Sequence, residues 1–165
     1  MLEQLFAYLD NQHDFVVRLQ KGMTAIPAIG PDNGGDGEAH KALYLRRVLQ
    51  KLGVDEIREI NAPDDRVSAG FRPNLVVRLK GKSTRTLWII GHMDVVPPGD
   101  LSLWESPPFD LQQSGDLIFG RGVEDNQQAI ASALLVLKTL LDNKATPDLG
   151  LGVLLVSDEE THSQY

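Results

Sequence analysis

The chain has 165 residues, enough for one ordinary domain, and its 42% hydrophobic and 24% charged content is that of a globular protein with a real core. Its 23 acids outnumber its 16 basic residues, giving a net charge of −7, and no block of Lys and Arg offsets that balance, which argues against nucleic acid as a partner. Cysteine is absent, so disulfides, thiolate nucleophiles and sulfur-ligated metals are excluded, and any metal must be held by nitrogen and oxygen.

The first stretch, MLEQLFAYLDNQHDFVVRL, has no basic leader and carries acids among its apolar residues. It reads as neither a signal peptide nor a membrane span, and the expectation is a cytoplasmic location without a membrane partner. Leu2, Leu5, Phe6, Leu9, Phe15, Val16 and Leu19 recur mostly every three or four residues and predict one amphipathic helix over 2–20. Residues 24–38, TAIPAIGPDNGGDGE, hold two prolines and four glycines and predict a loop. A second helix is predicted over 38–53, with Leu43, Val48, Leu49 and Leu52 on its apolar face and Gly53 as its C-terminal cap.

Next, NLVVRLKGKSTRTLWIIGHMD predicts strands at about 74–80 and 86–91, paired as a hairpin through a polar turn. The segment TLWII is apolar on both faces, which predicts a central, covered strand and an α/β layer architecture. DLIFGRG (116–122) reads as a short strand ending in a glycine turn, and residues 125–143 as a helix sandwiched against the sheet, with Asp125 at its start. LGLGVLLVS (149–157) reads as a further buried strand. With no internal repeat in view, a third layer and further strands are expected after Tyr165.

Polar clusters recur where these strands stop, the place where open α/β sheets carry their sites. His92 and Asp94 follow one strand, Asp125 another, and Glu159 and Glu160 a third. His92 and Asp94 are two apart, so in extended backbone they share a side, which suits a metal-ligating imidazole and the acid that orients it. Alone, the pair also fits a histidine capping a turn and an aspartate bonding local backbone. Asp125 alone fits a helix N-cap, although a carboxylate there also has an oxygen for each of two metals. Glu159 and Glu160 fit a solvated acidic loop, or a metal ligand beside a group that takes a proton from water. One shared site accounts for all three clusters together. His13 and His40 fall on predicted helices as surface residues, and His162 reads as a loop histidine.

GHMDVVP (91–97), Trp104 with PPFD (107–110), GDLIFGRGVEDN (115–126) and LLVSDEET (154–161) occur in an order and spacing that resemble the di-zinc metallopeptidase family M-twenty. That family includes acetylornithine deacetylase, succinyl-diaminopimelate desuccinylase, aminoacylase, carboxypeptidase and dipeptidases. The resemblance implies an α/β fold of three layers, αβα, around a mostly parallel mixed sheet. It further implies that His92 binds one metal, Asp125 bridges two and Glu160 binds the other, with Asp94 polarising His92 and Glu159 acting as general base. The implied cofactors are two zinc ions, with cobalt or manganese as alternatives, in a site this chain holds only in part. The implied substrate is an N-acyl amino acid or small peptide cleaved at its amide bond, and the implied full-length protein is a homodimer. A cis peptide between Asp125 and Asn126 is expected on the same ground.

Two departures concern subfamily and substrate: Gln127 and Gln128 stand where members often carry Lys-Gly, and His162 and Ser163 where a Gly-Ser step is common. Residues 1–165 are accordingly expected to be the N-terminal segment of a catalytic domain, without the rest of that domain or its lid and dimerisation domain, and to be inactive alone. The alternatives are a non-catalytic domain kept as a binding or assembly module, and a metal-free hydrolase using Glu159 and Glu160 as an acid and base pair.

Overall fold

A computed structural model describes residues 2–165. In chain order these form α1 (Leu2–Asp10), α2 (His13–Thr24), a 3-10 turn (Pro31–Asn33), α3 (Ala39–Leu52), β1 (Glu56–Pro63), β2 (Phe71–Leu79) and β3 (Thr86–His92). A second 3-10 turn (Leu101–Leu103) leads to β4 (Gln112–Ser114), β5 (Leu117–Phe119), α4 (Gln127–Asp142) and β6 (Gly150–Val156).

The main sheet has the order β1-β2-β6-β3. β6 runs antiparallel to β2, with Val77 opposite Val153, and parallel to β3, with Ile89 opposite Val153. The expected hairpin between β2 and β3 is therefore not formed, because β6 inserts between them. The apolar run of β6 takes the inner position, and Gly152 lets the Trp88 ring lie across it: a Cβ at Gly152 would come within 2.2 Å of that ring. β3 is correspondingly an edge of the described sheet rather than a covered central strand, with Leu87, Trp88 and Ile90 exposed. The hairpin of this region is instead β1–β2, in register from Glu56 opposite Arg78 to Pro63 opposite Phe71. Pro73, which lacks an N–H for the ladder, precedes the β2–β6 pairing, which begins at Leu75.

One face of the sheet carries Leu75, Val77, Leu79, Leu151, Val153 and Leu155, and the helices pack on it. α4 contributes Ile130, Leu134 and Leu137, α3 contributes Leu45 and Leu49, and α2 contributes Leu19 and Met23, all buried. Each large side chain buried this way stabilises the fold by about 1.5–3 kcal/mol. The fold is the expected α/β class with a mixed sheet, and the described residues supply the sheet and the helical layer on that face. No helix among them is long and apolar enough to cross a membrane.

Three local expectations are corrected. The helix predicted over 2–20 breaks at Asn11 and Gln12, where Asn11 Nδ2 donates to the Ala7 carbonyl (2.7 Å) and both backbone N–H groups close tight turns onto Tyr8 and Leu9. α1 then buries none of its residues. On α3, Leu43 is exposed and the buried face is Lys41, Ala42, Leu45 and Leu49, while Gly53 caps the helix at φ 79° as expected. DLIFGRG contributes β5 to a small separate hairpin with β4, so it is not a strand of the buried sheet.

Candidate metal centre

Because β3 and β6 are parallel neighbours, their C-terminal ends lie side by side, with His92 opposite Val156. The Met93 N–H donates to the Val156 carbonyl (2.8 Å), and the Ser157 N–H and hydroxyl bond the Asn74 side chain (3.0 Å) and the Pro73 carbonyl (2.5 Å). These contacts tie the end of β6 to β3 on one side and to β2 on the other. Asp125 arrives from a different direction, just before α4, and is joined to Asn126 by a cis peptide of the kind expected. Its loop is tied to α2: Gln20 Nε2 donates to the Val123 carbonyl (3.1 Å), and the Thr24 hydroxyl to Gln127 Oε1 (2.9 Å). Gln127, one of the departures from the family pattern, is thus a buried support under that loop.

The result is a group of one imidazole nitrogen and two carboxylate oxygens, from His92, Asp125 and Glu160, all within 4.8 Å of one another. His92 is buried, whereas the Asp125 and Glu159 side chains are 67% and 54% exposed. Asp125 makes no N-terminal cap: Asn126 holds that position, and Asp125 Oδ1 lies 3.1 Å from His92 Nε2. His13, His40 and His162 are exposed and outside the group.

The hydrogen bonding of His92 defines its chemistry. Nδ1 lies 3.1 Å from the Asp94 carbonyl oxygen, which can only accept, so Nδ1 carries the hydrogen. Nε2 then presents its lone pair to Asp125 and, at 3.7 Å, to Glu159 Oε2. A lone pair facing carboxylates requires either a proton or a metal cation between them. Burial opposes a charged imidazole, but Asp94, Asp125 and Glu159 outweigh it and lift His92 to about 9. Burial also pushes the Glu160 carboxyl above its ordinary value, with Asp125, Asp94 and Glu159 adding to the effect against the pull of His92. Such crowding of acids is relieved by a divalent cation, and the nitrogen and oxygen donors present suit one.

Asp94 joins the two strand ends. One oxygen accepts the Glu160 N–H (2.8 Å), and the other lies 3.5 Å from His92 Nδ1 with no hydrogen-bond partner of its own. The primary acceptor for the ring is therefore the Asp94 carbonyl, with the carboxylate behind it.

Sequence reasoning did not find the charges beneath this site. Arg72 is fully buried with Glu38, Asp64 and Asp158 around it. Lys41 is buried with no acceptor for its ammonium, and burial drives it down to about 8 despite Asp94 and Glu38. Glu38 and Asp158 lie 34 and 86 residues from Arg72, so no local spacing signals the cluster.

Residues 88–164 match the model of peptidase family M20/M25/M40. An uncharacterized metallohydrolase of Methanococcus maripaludis is 38% identical over 159 residues, covering 92% of this chain and 38% of the relative. A succinyl-diaminopimelate desuccinylase of Delftia acidovorans is 32% identical over 147 residues, covering 87% of the chain and 36% of the relative. In fold, the chain superposes on the dipeptidase Dug1p of Saccharomyces cerevisiae with a TM-score of 0.85 at 20% identity, over 99% of this chain and 36% of that one. The chain thus spans little more than a third of the length of the curated relatives it matches.

Proposed function

We propose, from the match of residues 88–164 to the model of peptidase family M20/M25/M40, that this chain carries part of the active site of a zinc-dependent hydrolase of amide bonds, acting on N-acyl amino acids or small peptides. The observation that carries the reading is His92, whose Nδ1 is committed to the Asp94 carbonyl while Nε2 faces Asp125 and Glu159. His92, Asp125 and Glu160 would hold metal, with Asp125 shared between two zinc ions and Asp94 orienting His92. When bound, zinc supplies Lewis acidity toward the scissile carbonyl and the attacking water. Glu159, half-exposed beside His92, takes a proton from that water and returns it to the amine nitrogen as the C–N bond breaks.

In this reading residues 1–165 are the N-terminal segment of the catalytic domain, the protein works in the cytoplasm as a homodimer, and its substrate is a small molecule. Hydrolysis of N-acyl amino acids and dipeptides is to be measured on the longest native polypeptide that contains these residues. Glu159→Ala is expected to lower kcat about 100- to 10,000-fold with zinc content unchanged. A Glu159→Ala variant of undiminished rate removes the proposed base, and zinc binding without turnover in the wild type selects the binding-module reading.

A further inference from the structure

Arg72 lies on β2 with no solvent exposure, and its guanidinium serves three carboxylates from three parts of the chain. Nε donates to Glu38 Oε2 (2.6 Å) and Nη2 to the other Glu38 oxygen, while Nη1 lies 3.4 Å from Asp158 Oδ1 and 3.6 Å from Asp64 Oδ2. The rings and charges above it close the arrangement: Tyr165 sits over both Arg66 and Arg72, 5.5 Å from each. A buried guanidinium spread over three acids is a large investment for a strand end.

What it holds is the loop of Glu159 and Glu160. Asp158 is buried and left-handed, at φ 69°, so the chain turns sharply just before those two residues. The loop then coils around the same aspartate: its Oδ1 accepts the Thr161 hydroxyl, its Oδ2 the Gln164 N–H (2.8 Å), and its carbonyl the Ser163 N–H (2.8 Å). Among the described residues, Arg72 is the cation paired with that carboxylate. At the other side of the turn the Glu160 N–H is fixed by Asp94. Asp158 and Asp94 therefore set the backbone of Glu159–Glu160 from both sides, one anchored on Arg72 and the other on the His92 strand.

We propose that Arg72 is a positioning residue for the metal site, acting through Asp158 to hold the Ser157–Gln164 loop in the shape that presents Glu159 and Glu160 to His92 and Asp125. The proposal rests on the metal reading of those residues. Asp158→Asn tests it without a fold-breaking change, because Asn keeps the volume and tolerates the left-handed backbone while removing the charge that Arg72 grips. Arg72→Lys keeps the charge without the planar fork, and Lys82→Gln is the control, since Lys82 pairs with exposed Asp148 outside the Arg72 cluster.

Amide hydrogen exchange on the metal-free 165-residue chain is expected to quicken about 10-fold at Glu160, Ser163 and Gln164 in Asp158→Asn, with α4 unchanged, as the charge facing Arg72 and one of the two acceptor oxygens are lost. Zinc titration of the same variant is expected to show affinity about 10-fold weaker, in the range of a lost supporting contact to a metal ligand. Arg72→Lys should fall between Asp158→Asn and wild type, and Lys82→Gln should match wild type. Unchanged loop exchange in Asp158→Asn, or equal acceleration in loop and α4, overturns the proposal. A wild-type chain that binds no zinc overturns the metal reading instead, and the exchange result alone then decides whether Arg72 holds the loop.

Discussion

Asp158 and its neighbours Glu159 and Glu160 are three consecutive acids that end up in two clusters neutralised in opposite ways. Asp158 turns inward to Arg72, a counterion built into the chain. Glu159 and Glu160 turn toward His92 and Asp125, where carboxylates outnumber the one imidazole. The first cluster is complete as a protein structure, and its acids serve stability. The second is complete only with a proton or a metal cation, and its acids serve chemistry in the function proposed above. Adjacent residues of the same type thus acquire different roles from the presence or absence of one guanidinium.

The largest effect that separates the clusters is on stability. Arg72→Met leaves buried acids without their cation and is expected to cost about 3–5 kcal/mol in urea unfolding of the metal-free chain. Asp125→Asn, which relieves crowding at an exposed position, is expected to change stability by no more than about 0.5 kcal/mol. The reverse ranking would mean that the Arg72 cluster is not the stabilising one. A smaller effect falls on the metal cluster: Asp94→Asn removes the charge behind the His92 ring and is expected to lower zinc affinity about 10- to 100-fold by titration.

The smallest effect is in pH. Hydrogen bonds from Arg66, with the charges of Arg66 and Arg72, hold the Asp64 carboxyl down to about 2 against the opposing effect of burial. The unfolded chain, with an Asp near its ordinary value of about 4, binds more protons than the native state between the two values. Stability contributed by Asp64 is therefore present above about pH 4 and is lost as pH falls through about 2. Urea midpoints measured across that range should fall less steeply in Asp64→Asn than in wild type, and equal slopes would remove Asp64 from the stabilising cluster.

The legibility of the two clusters in the sequence differs for a physical reason. His92, Asp94, Asp125, Glu159 and Glu160 each stand at the end of an apolar run or the start of a helix, so local pattern marks them. The β3–β6 pairing, in which two parallel strands end side by side, brings the His92–Asp94 and Glu159–Glu160 ends together, and the start of α4 adds Asp125. α3 with its Gly53 cap, α4 and β6 were equally plain, because periodicity and long apolar runs are local signals. The pairing of β2 with β6 was not, since β6 begins about seventy residues after β2 ends and displaces the nearer partner β3. β1 was hidden because Glu56, Arg58 and Glu59 dilute its apolar pattern, and the Asn11–Gln12 break because two turns of competing hydrogen bonds carry no periodic mark. Arg72 is the extreme case, a strand arginine whose role exists only once Glu38 and Asp158 have been folded against it.

Zinc titration of the metal-free chain by calorimetry tests most directly whether the cluster at His92 holds a cation. Wild type is expected to bind zinc saturably, and His92→Ala, with its fold intact by circular dichroism, to lose that binding. Wild-type and His92→Ala chains that respond identically to zinc would contradict the claim.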